Sequence, residues 1–197
     1  MTTALIVSNI TLWLLVVGLA LTVMALARQI GVLHERIAPA GALMVSGGPK
    51  VGEASPVIEV TDIKGVDLNI GSPREDKKSI LVFFLSPTCP VCKTLLPVLQ
   101  SSQKSERDWL EIVLASDGDM AQQTAFIDQY KLNNFTYILS TNLGMTYQVG
   151  KLPFAILLDQ EGIIRSKGLV NSREHLESLF EAKERGVASV QEYIANR

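Results

Sequence analysis

The chain has 197 residues, a formal charge of −2, 47% hydrophobic and 19% charged residues, and two cysteines. A chain of this size and make-up can bury its own core, which excludes a disordered chain and a disulfide-dense mini-protein. Near-neutral charge without a long basic run removes the electrostatic basis for nucleic-acid binding.

The first 27 residues carry no charged side chain. Ala4 to Ala27 measures about 36 Å as a helix, enough to cross a hydrocarbon core of about 30 Å. It is the only such segment, so a polytopic membrane protein is excluded too. Ala25-Leu26-Ala27 resembles a signal-peptidase site. However, no basic residue precedes the segment, and it exceeds the usual apolar run of about 7–15 residues in a cleaved signal. The reading is an uncleaved anchor, touching the lipid bilayer through residues 4–27. The domain plan is an anchor over 1–30, a linker over 31–50 and a folded domain over 51–197. Arg28 and Arg36 follow the segment, and the positive-inside rule taken alone puts them on the cytoplasmic side.

Leu33 to Pro56, rich in Ala, Gly and Pro, reads as a tether. Val57–Val60 and Val66–Ile70 are β-prone runs around Lys64-Gly65, a hairpin pattern. Ile80–Leu85 is a continuous apolar run, as in a strand covered on both faces. A helix begins near Cys89, with Pro90 suited to its first turn. Leu110–Ala115 is a second apolar strand. Met120–Leu132 has helical spacing through Ala121, Ala125, Ile127 and Tyr130. Thr136–Leu139 and Phe154–Leu158 read as strands, and Glu161-Gly162 turns the latter into Ile163–Val170. Ser172 is an N-cap for a helix holding Leu176, Leu179 and Phe180. Val187–Ile194 has room for a last amphipathic turn. The order describes an α/β domain, a central sheet flanked by helices.

Both cysteines, Cys89 and Cys92, lie in Ser86-Pro87-Thr88-Cys89-Pro90-Val91-Cys92-Lys93, after a buried strand and at the start of a helix. A thiol there faces unpaired N–H groups and the positive end of the helix dipole, which favour the thiolate that attacks disulfides. A partner three residues on can close a ring and expel a bound thiol. A structural disulfide between such neighbours closes too small a loop to restrain the unfolded chain much. A metal site needs about four ligands, and only His34 and His175 could join the pair. Thiol–disulfide exchange without metal or cofactor is the expected chemistry, with Cys89 and Cys92 catalytic.

The strand Ile80–Leu85, the Cys89-Pro90-Val91-Cys92-Lys93 turn and Pro97 eight residues after the first cysteine resemble the thioredoxin superfamily. Leu152-Pro153-Phe154, just before a strand, resembles that family's cis-proline loop. The resemblance implies a thioredoxin-like fold, a central mixed sheet flanked by helices, with an N-terminal hairpin and an inserted helix over Met120–Asn134. It implies that Pro90, Val91, Leu152 and Pro153 bind substrate, the loop offering main-chain groups to an extended polypeptide. Val51-Gly52-Glu53-Ala54-Ser55-Pro56 and the stretch Phe83 to Pro97 are further similar to the membrane-anchored, thioredoxin-like accessory proteins of methylamine utilisation. This implies a task in maturing methylamine dehydrogenase, whose disulfide-rich small subunit becomes the expected partner.

Two positions depart from the superfamily pattern. Phe83 stands where many thioredoxins keep a buried acid, and Thr88 where a tryptophan usually precedes the first cysteine. The cysteine pattern specifies exchange and leaves its direction open. Pro90 in first place and the absent acid at Phe83 favour disulfide formation or isomerisation. A reductase preparing apocytochrome cysteines for haem, or an assembly chaperone in which the thiols are secondary, are the alternatives. Because a cytoplasmic dithiol normally stays reduced, the domain is expected in the periplasm, against the weak charge count. Turnover then requires a multi-pass membrane redox partner.

Overall fold

A computed structural model describes residues 2–36 and 47–185. The chain divides into two compact units, Met1–Leu43 and Met44–Arg197.

The first unit contains helix α1 (Thr2–Arg36). Over Leu5–Met24 it is long and apolar enough to cross a membrane, and its side chains stand exposed all round, Leu5, Trp13 and Met24 among them. A helix that is apolar on every face suits a lipid surrounding, not water. It continues past Ala27 to Arg36, into the stretch read as tether, because no proline intervenes before Pro39. The part of that stretch over 37–46 lies outside the described residues, as does Val187–Ile194.

In the second unit, residues 47–56 are docked and do not hang free as a tether. Gly52 and Ser55 donate main-chain hydrogen bonds to Ile164 and Gly162, and Ile164 donates back to Glu53. Lys167 Nζ donates to the carbonyls of Gly47 and Pro49. Composition cannot reveal such contacts, since main-chain groups are the same in every residue.

Strands β1 (Ile58–Thr61) and β2 (Asp67–Ile70) form an antiparallel hairpin. The Asp62 carboxylate organises its turn by accepting from the N–H groups of Lys64 and Val66. The main sheet has five strands in the order β5-β4-β3-β6-β7. These are β3 (Ser79–Phe84), β4 (Leu110–Ser116), β5 (Thr136–Leu139), β6 (Phe154–Leu158) and β7 (Ile164–Leu169). β3, β4 and β5 run parallel to one another, and β6 and β7 are antiparallel to their neighbours, making the sheet mixed.

Helices α2 (Pro90–Ser105), α3 (Met120–Tyr130), α4 (Thr141–Thr146) and α5 (Arg173–Arg185) complete the unit. Every residue of β3 is buried, which explains its unbroken apolar run. Successive side chains point to opposite faces. Leu81, Phe83 and Leu85 therefore join one core cluster with α2, α3 and α5, while Ile80, Val82 and Phe84 join a second with the hairpin and α4. As expected, Leu176 and Leu179 of α5 are buried, and Ser172 accepts from the His175 N–H.

Helix α3 lies within Met120–Leu132, as the spacing predicts. The buried face of α3 is Gln123, Phe126 and Ile127, while Ala121 and Ala125 are exposed. Burying Gln123 is possible because its amide is satisfied on both sides, by the Tyr137 hydroxyl and the Asp117 carbonyl. Helix α4 was not expected. Its sequence, TNLGMT, is poor in helix formers, and it is nucleated by Ser140, whose hydroxyl accepts from the Leu143 N–H.

The hairpin meets the β6–β7 turn at two glycines. Gly162 has φ +79°, and a Cβ there would sit 2.2 Å from the Gly71 carbonyl oxygen. Gly162→Ala should therefore lower stability by about 2 kcal/mol or more, combining left-handed backbone strain with a steric clash. Equilibrium urea unfolding of the soluble domain checks this, and an unchanged midpoint would show that the contact is not maintained.

Candidate functional site

β3 delivers the chain to the site. The Leu85 N–H is tied to the Ala115 carbonyl, and Ser86–Thr88 then form a tight turn. In that turn the Ser86 hydroxyl bonds the Thr88 hydroxyl at 2.9 Å, and the Ser86 carbonyl accepts from the Cys89 N–H at 3.0 Å. Cys89 is the N-cap of α2, with extended backbone (φ −81°, ψ 113°), and Pro90 opens the first turn. Proline is suited to that place because its missing N–H is one the helix would leave unpaired. Further along α2, Pro97 lies inside the helix on its exposed side.

The two thiols have different surroundings. Cys89 is half-buried, and its Sγ accepts a hydrogen bond from the Cys92 N–H at 3.2 Å. Cys92 is fully buried against Phe83, Leu95 and Leu96. Burial, reinforced by the neighbouring Cys89, pushes the Cys92 thiol up to about 12. The outer sulfur caps the start of a helix, while the inner sulfur is kept as a neutral thiol.

Alkylation should therefore be selective. At pH 8, iodoacetamide should add once to the folded, reduced protein, at Cys89, with Cys92 modified only after denaturation. The residual rate at Cys92 should rise about tenfold per pH unit up to pH 12, since only the thiolate reacts. Peptide mapping by mass spectrometry checks this, and equal labelling of both thiols at pH 8 would contradict the burial of Cys92.

Of the expected substrate-binding residues, Pro90 and Val91 are exposed beside Cys89 on the first turn of α2. Leu152 and Pro153 lie on the loop that enters β6, and the Leu152–Pro153 peptide is cis. The Pro153 carbonyl accepts from the Val170 N–H at 3.1 Å, while no hydrogen bond within the described chain engages the Leu152 main chain. The Leu152 N–H and carbonyl are thus without a partner among the described residues, and its side chain is 39% exposed.

Leu152 also forms one wall of a groove of about 530 Å³, with Leu85, Ser116, Asp117, Met145 and Lys151 around it. The sequence reading missed this groove because α4, which frames it, was not expected. Met145, on the wall of the groove, stands 71% exposed.

Phe83 is fully buried in the same cluster as Cys92, and no carboxylate is among the groups that shift the Cys92 thiol. The polar group that does feel Cys92 is Tyr137. Burial pushes its phenol up to about 12, with Ser116 acting against the rise and Cys92 adding to it. The Tyr137 hydroxyl donates to Gln123 Oε1 at 2.6 Å. This buried pair was not foreseen either, because glutamine at a helix position and tyrosine in a strand carry no pattern of their own.

Residues 50–183 match the redoxin family model. The methylamine utilization protein MauD of Methylorubrum extorquens is 44% identical over 193 residues, covering 98% of this chain and 93% of its own. The MauD protein of Paracoccus denitrificans is 44% identical over 197 residues, covering 100% of this chain and 98% of its own. Among solved structures, the thioredoxin domain of a thiol-disulfide oxidoreductase from Bacteroides vulgatus superposes with a TM-score of 0.57 at 21% identity. That likeness covers 68% of this chain and 98% of the domain, and it establishes the thioredoxin-like fold.

Proposed function

This chain belongs to the redoxin family and, within it, to the MauD group of methylamine utilization proteins, and from that membership we propose a membrane-tethered, periplasmic thiol–disulfide oxidoreductase that forms or isomerises disulfides as methylamine dehydrogenase matures. The observation that carries the reading is the asymmetric thiol pair, together with an unengaged main-chain segment on the loop that enters β6. Cys89 is accessible at a helix terminus, Cys92 is buried behind it, and the Leu152 main chain is unengaged.

In the oxidising direction, a client thiolate attacks Cys89 Sγ, the Cys89–Cys92 bond breaks, and Cys92 leaves as the thiolate and takes up a proton. A second client thiolate then attacks the client sulfur of the mixed disulfide. The client's new disulfide departs with Cys89 as leaving thiolate, so two electrons pass from client to enzyme. Isomerisation runs the first exchange from the other side, Cys89 thiolate attacking a wrong disulfide.

Pro90 as the first intervening residue and Phe83 in place of an acid support the oxidising or isomerising direction. The anchor reading draws on α1, the periplasmic side on the need for thiol chemistry outside the reducing cytoplasm. The methylamine dehydrogenase small subunit as client, and a multi-pass membrane protein as source or sink of electrons, belong to the same proposal.

The test is the redox state of Cys89 and Cys92 in cells, read as a mass shift after acid trapping and alkylation. A parallel sample of spheroplasts takes a membrane-impermeant thiol reagent after reduction. Disulfide in the steady state, with thiols labelled from outside after reduction, is the result expected of an oxidant. A steady-state dithiol labelled from outside would point to an isomerase or a reductase. Thiols reached only after lysis would put the domain in the cytoplasm and end the maturation reading.

A further inference from the structure

Helix α1 is one uninterrupted helix of 35 residues, five heptads long. Counting from Thr2 as position a, every d position is leucine, namely Leu5, Leu12, Leu19, Leu26 and Leu33. Five of the helix's eight leucines fall on that one position. The a positions are Thr2, Asn9, Val16, Val23 and Ile30, three of them β-branched aliphatics. The sequence puts both Arg28 and Glu35 at f, the position farthest from an a/d seam, and both glycines, Gly18 and Gly31, fall off the seam at c and b. Spanning a bilayer requires only apolar residues in any order. A leucine every seventh residue, carried past the apolar span through Leu33, is an additional pattern and needs an additional cause.

From this register we infer that α1 is a dimerisation element, pairing with α1 of a second copy of this chain as a parallel, two-stranded coiled coil. β-Branched residues at a with leucine at d is the combination that favours two parallel strands. Asn9 identifies the partner. It stands at a, roughly 6 Å inside the Leu5–Met24 apolar span. The hydroxyls of Thr11 and Thr22 donate to carbonyls of their own helix, whereas the Asn9 amide has no partner among the described residues. A primary amide both donates and accepts, so it is complementary to itself. All copies of a single-span chain insert in one direction, which places Asn9 opposite Asn9 in a parallel pair. There each amide satisfies the other in surroundings where an unpaired polar group is expensive.

The size of the seam agrees. Leu5, Leu12, Val16, Leu19 and Val23 are each at least 50% exposed on the single helix. At about 60–120 Å² per buried aliphatic side chain, the eight aliphatic seam positions of the sequence on each of two helices cover on the order of 1,000–1,900 Å², the range of a stable interface. The dimer carries two Cys89–Cys92 pairs on one paired anchor.

The experiment uses the full-length chain in native membranes with Cys89→Ser and Cys92→Ser, so its outcome is independent of the redox reading. Single substitutions Leu12→Cys, Val16→Cys and Leu19→Cys probe the seam, and Leu14→Cys and Leu21→Cys probe f. After mild oxidation, covalent dimer from the seam positions should exceed that from f at least fivefold. Adding Asn9→Leu should lower the dimer yield at limiting expression about tenfold, with Asn9→Gln restoring it. Dimer yields equal around the helix, greatest at f, or absent at every position would overturn the proposal, as would an Asn9→Leu chain that pairs as well as the parent.

Discussion

Cys92→Ser should stop exchange midway, with the client held on Cys89 as a mixed disulfide that survives acid trapping and migrates as a covalent complex. Cys89 lies at the surface end of α2 and, in the mechanism proposed above, makes the bond to the client, whereas Cys92 is fully buried behind it. Removing Cys92 leaves nothing to attack the Cys89–client bond from within the site. Turnover should fall by about 10³ or more, as expected when one partner of a two-residue covalent machine is lost. Cys89→Ser should be equally inactive and form no complex, because Cys92 is shielded and held as a neutral thiol. Gel separation without reductant, alongside assay of methylamine dehydrogenase maturation in cells, reads both variants. Full maturation with both cysteines replaced would favour a chaperone over an enzyme.

The second large effect concerns Phe83. Its ring is fully buried in the cluster that holds Cys92, Leu95 and Leu114. Phe83→Ala should lower stability by about 3–5 kcal/mol through lost transfer energy and the cavity left behind. Phe83→Asp should be worse still at pH 7, because the introduced carboxyl must either ionise in an apolar setting or take up a proton. In the second case its pKa is raised in the folded state, so the native form binds more protons than the unfolded one above about pH 4. Stability then falls as pH rises, and the gap between the two variants should close by about 1.4 kcal/mol per unit from pH 7 towards pH 4. Urea unfolding at pH 4.5, 6 and 7.5 measures it. A pH-independent Phe83→Asp variant no weaker than Phe83→Ala would mean that the chamber behind Cys92 is wet.

The sheet was legible because its strands state their own burial. Ile80–Leu85 and Phe154–Leu158 are unbroken apolar runs and Leu110–Ala115 is interrupted only by Glu111, and each lies in a strand that is almost wholly buried. The start of α2 was legible from Pro90 behind a cysteine that can cap, and the hairpin from two β-prone runs about Lys64-Gly65. Helix α4 was not, since TNLGMT has no helical preference and depends on Ser140 and on packing of Leu143 into the core. The face that α3 buries was not legible for a related reason: Gln123 is buried by bonds to Tyr137 and Asp117, partners distant in sequence or hidden in the main chain. Likewise the docking of residues 47–56 rests on main-chain and Lys167 hydrogen bonds that composition does not show.

The sequence by itself determined the reactive pair, its place at a helix start, the alternation of strands and helices, and one apolar segment long enough to span a bilayer. Each is a property of neighbouring residues: spacing, capping and periodicity. Only the tertiary structure decided the rest. It makes Cys89 the accessible sulfur and buries Cys92 against Phe83, leaves the Leu152 main chain without an internal partner, and opens the groove between that loop and α4. Exposure, an unpaired main-chain group and the environment of a thiol are set by which distant segments pack together, and no local pattern encodes that packing.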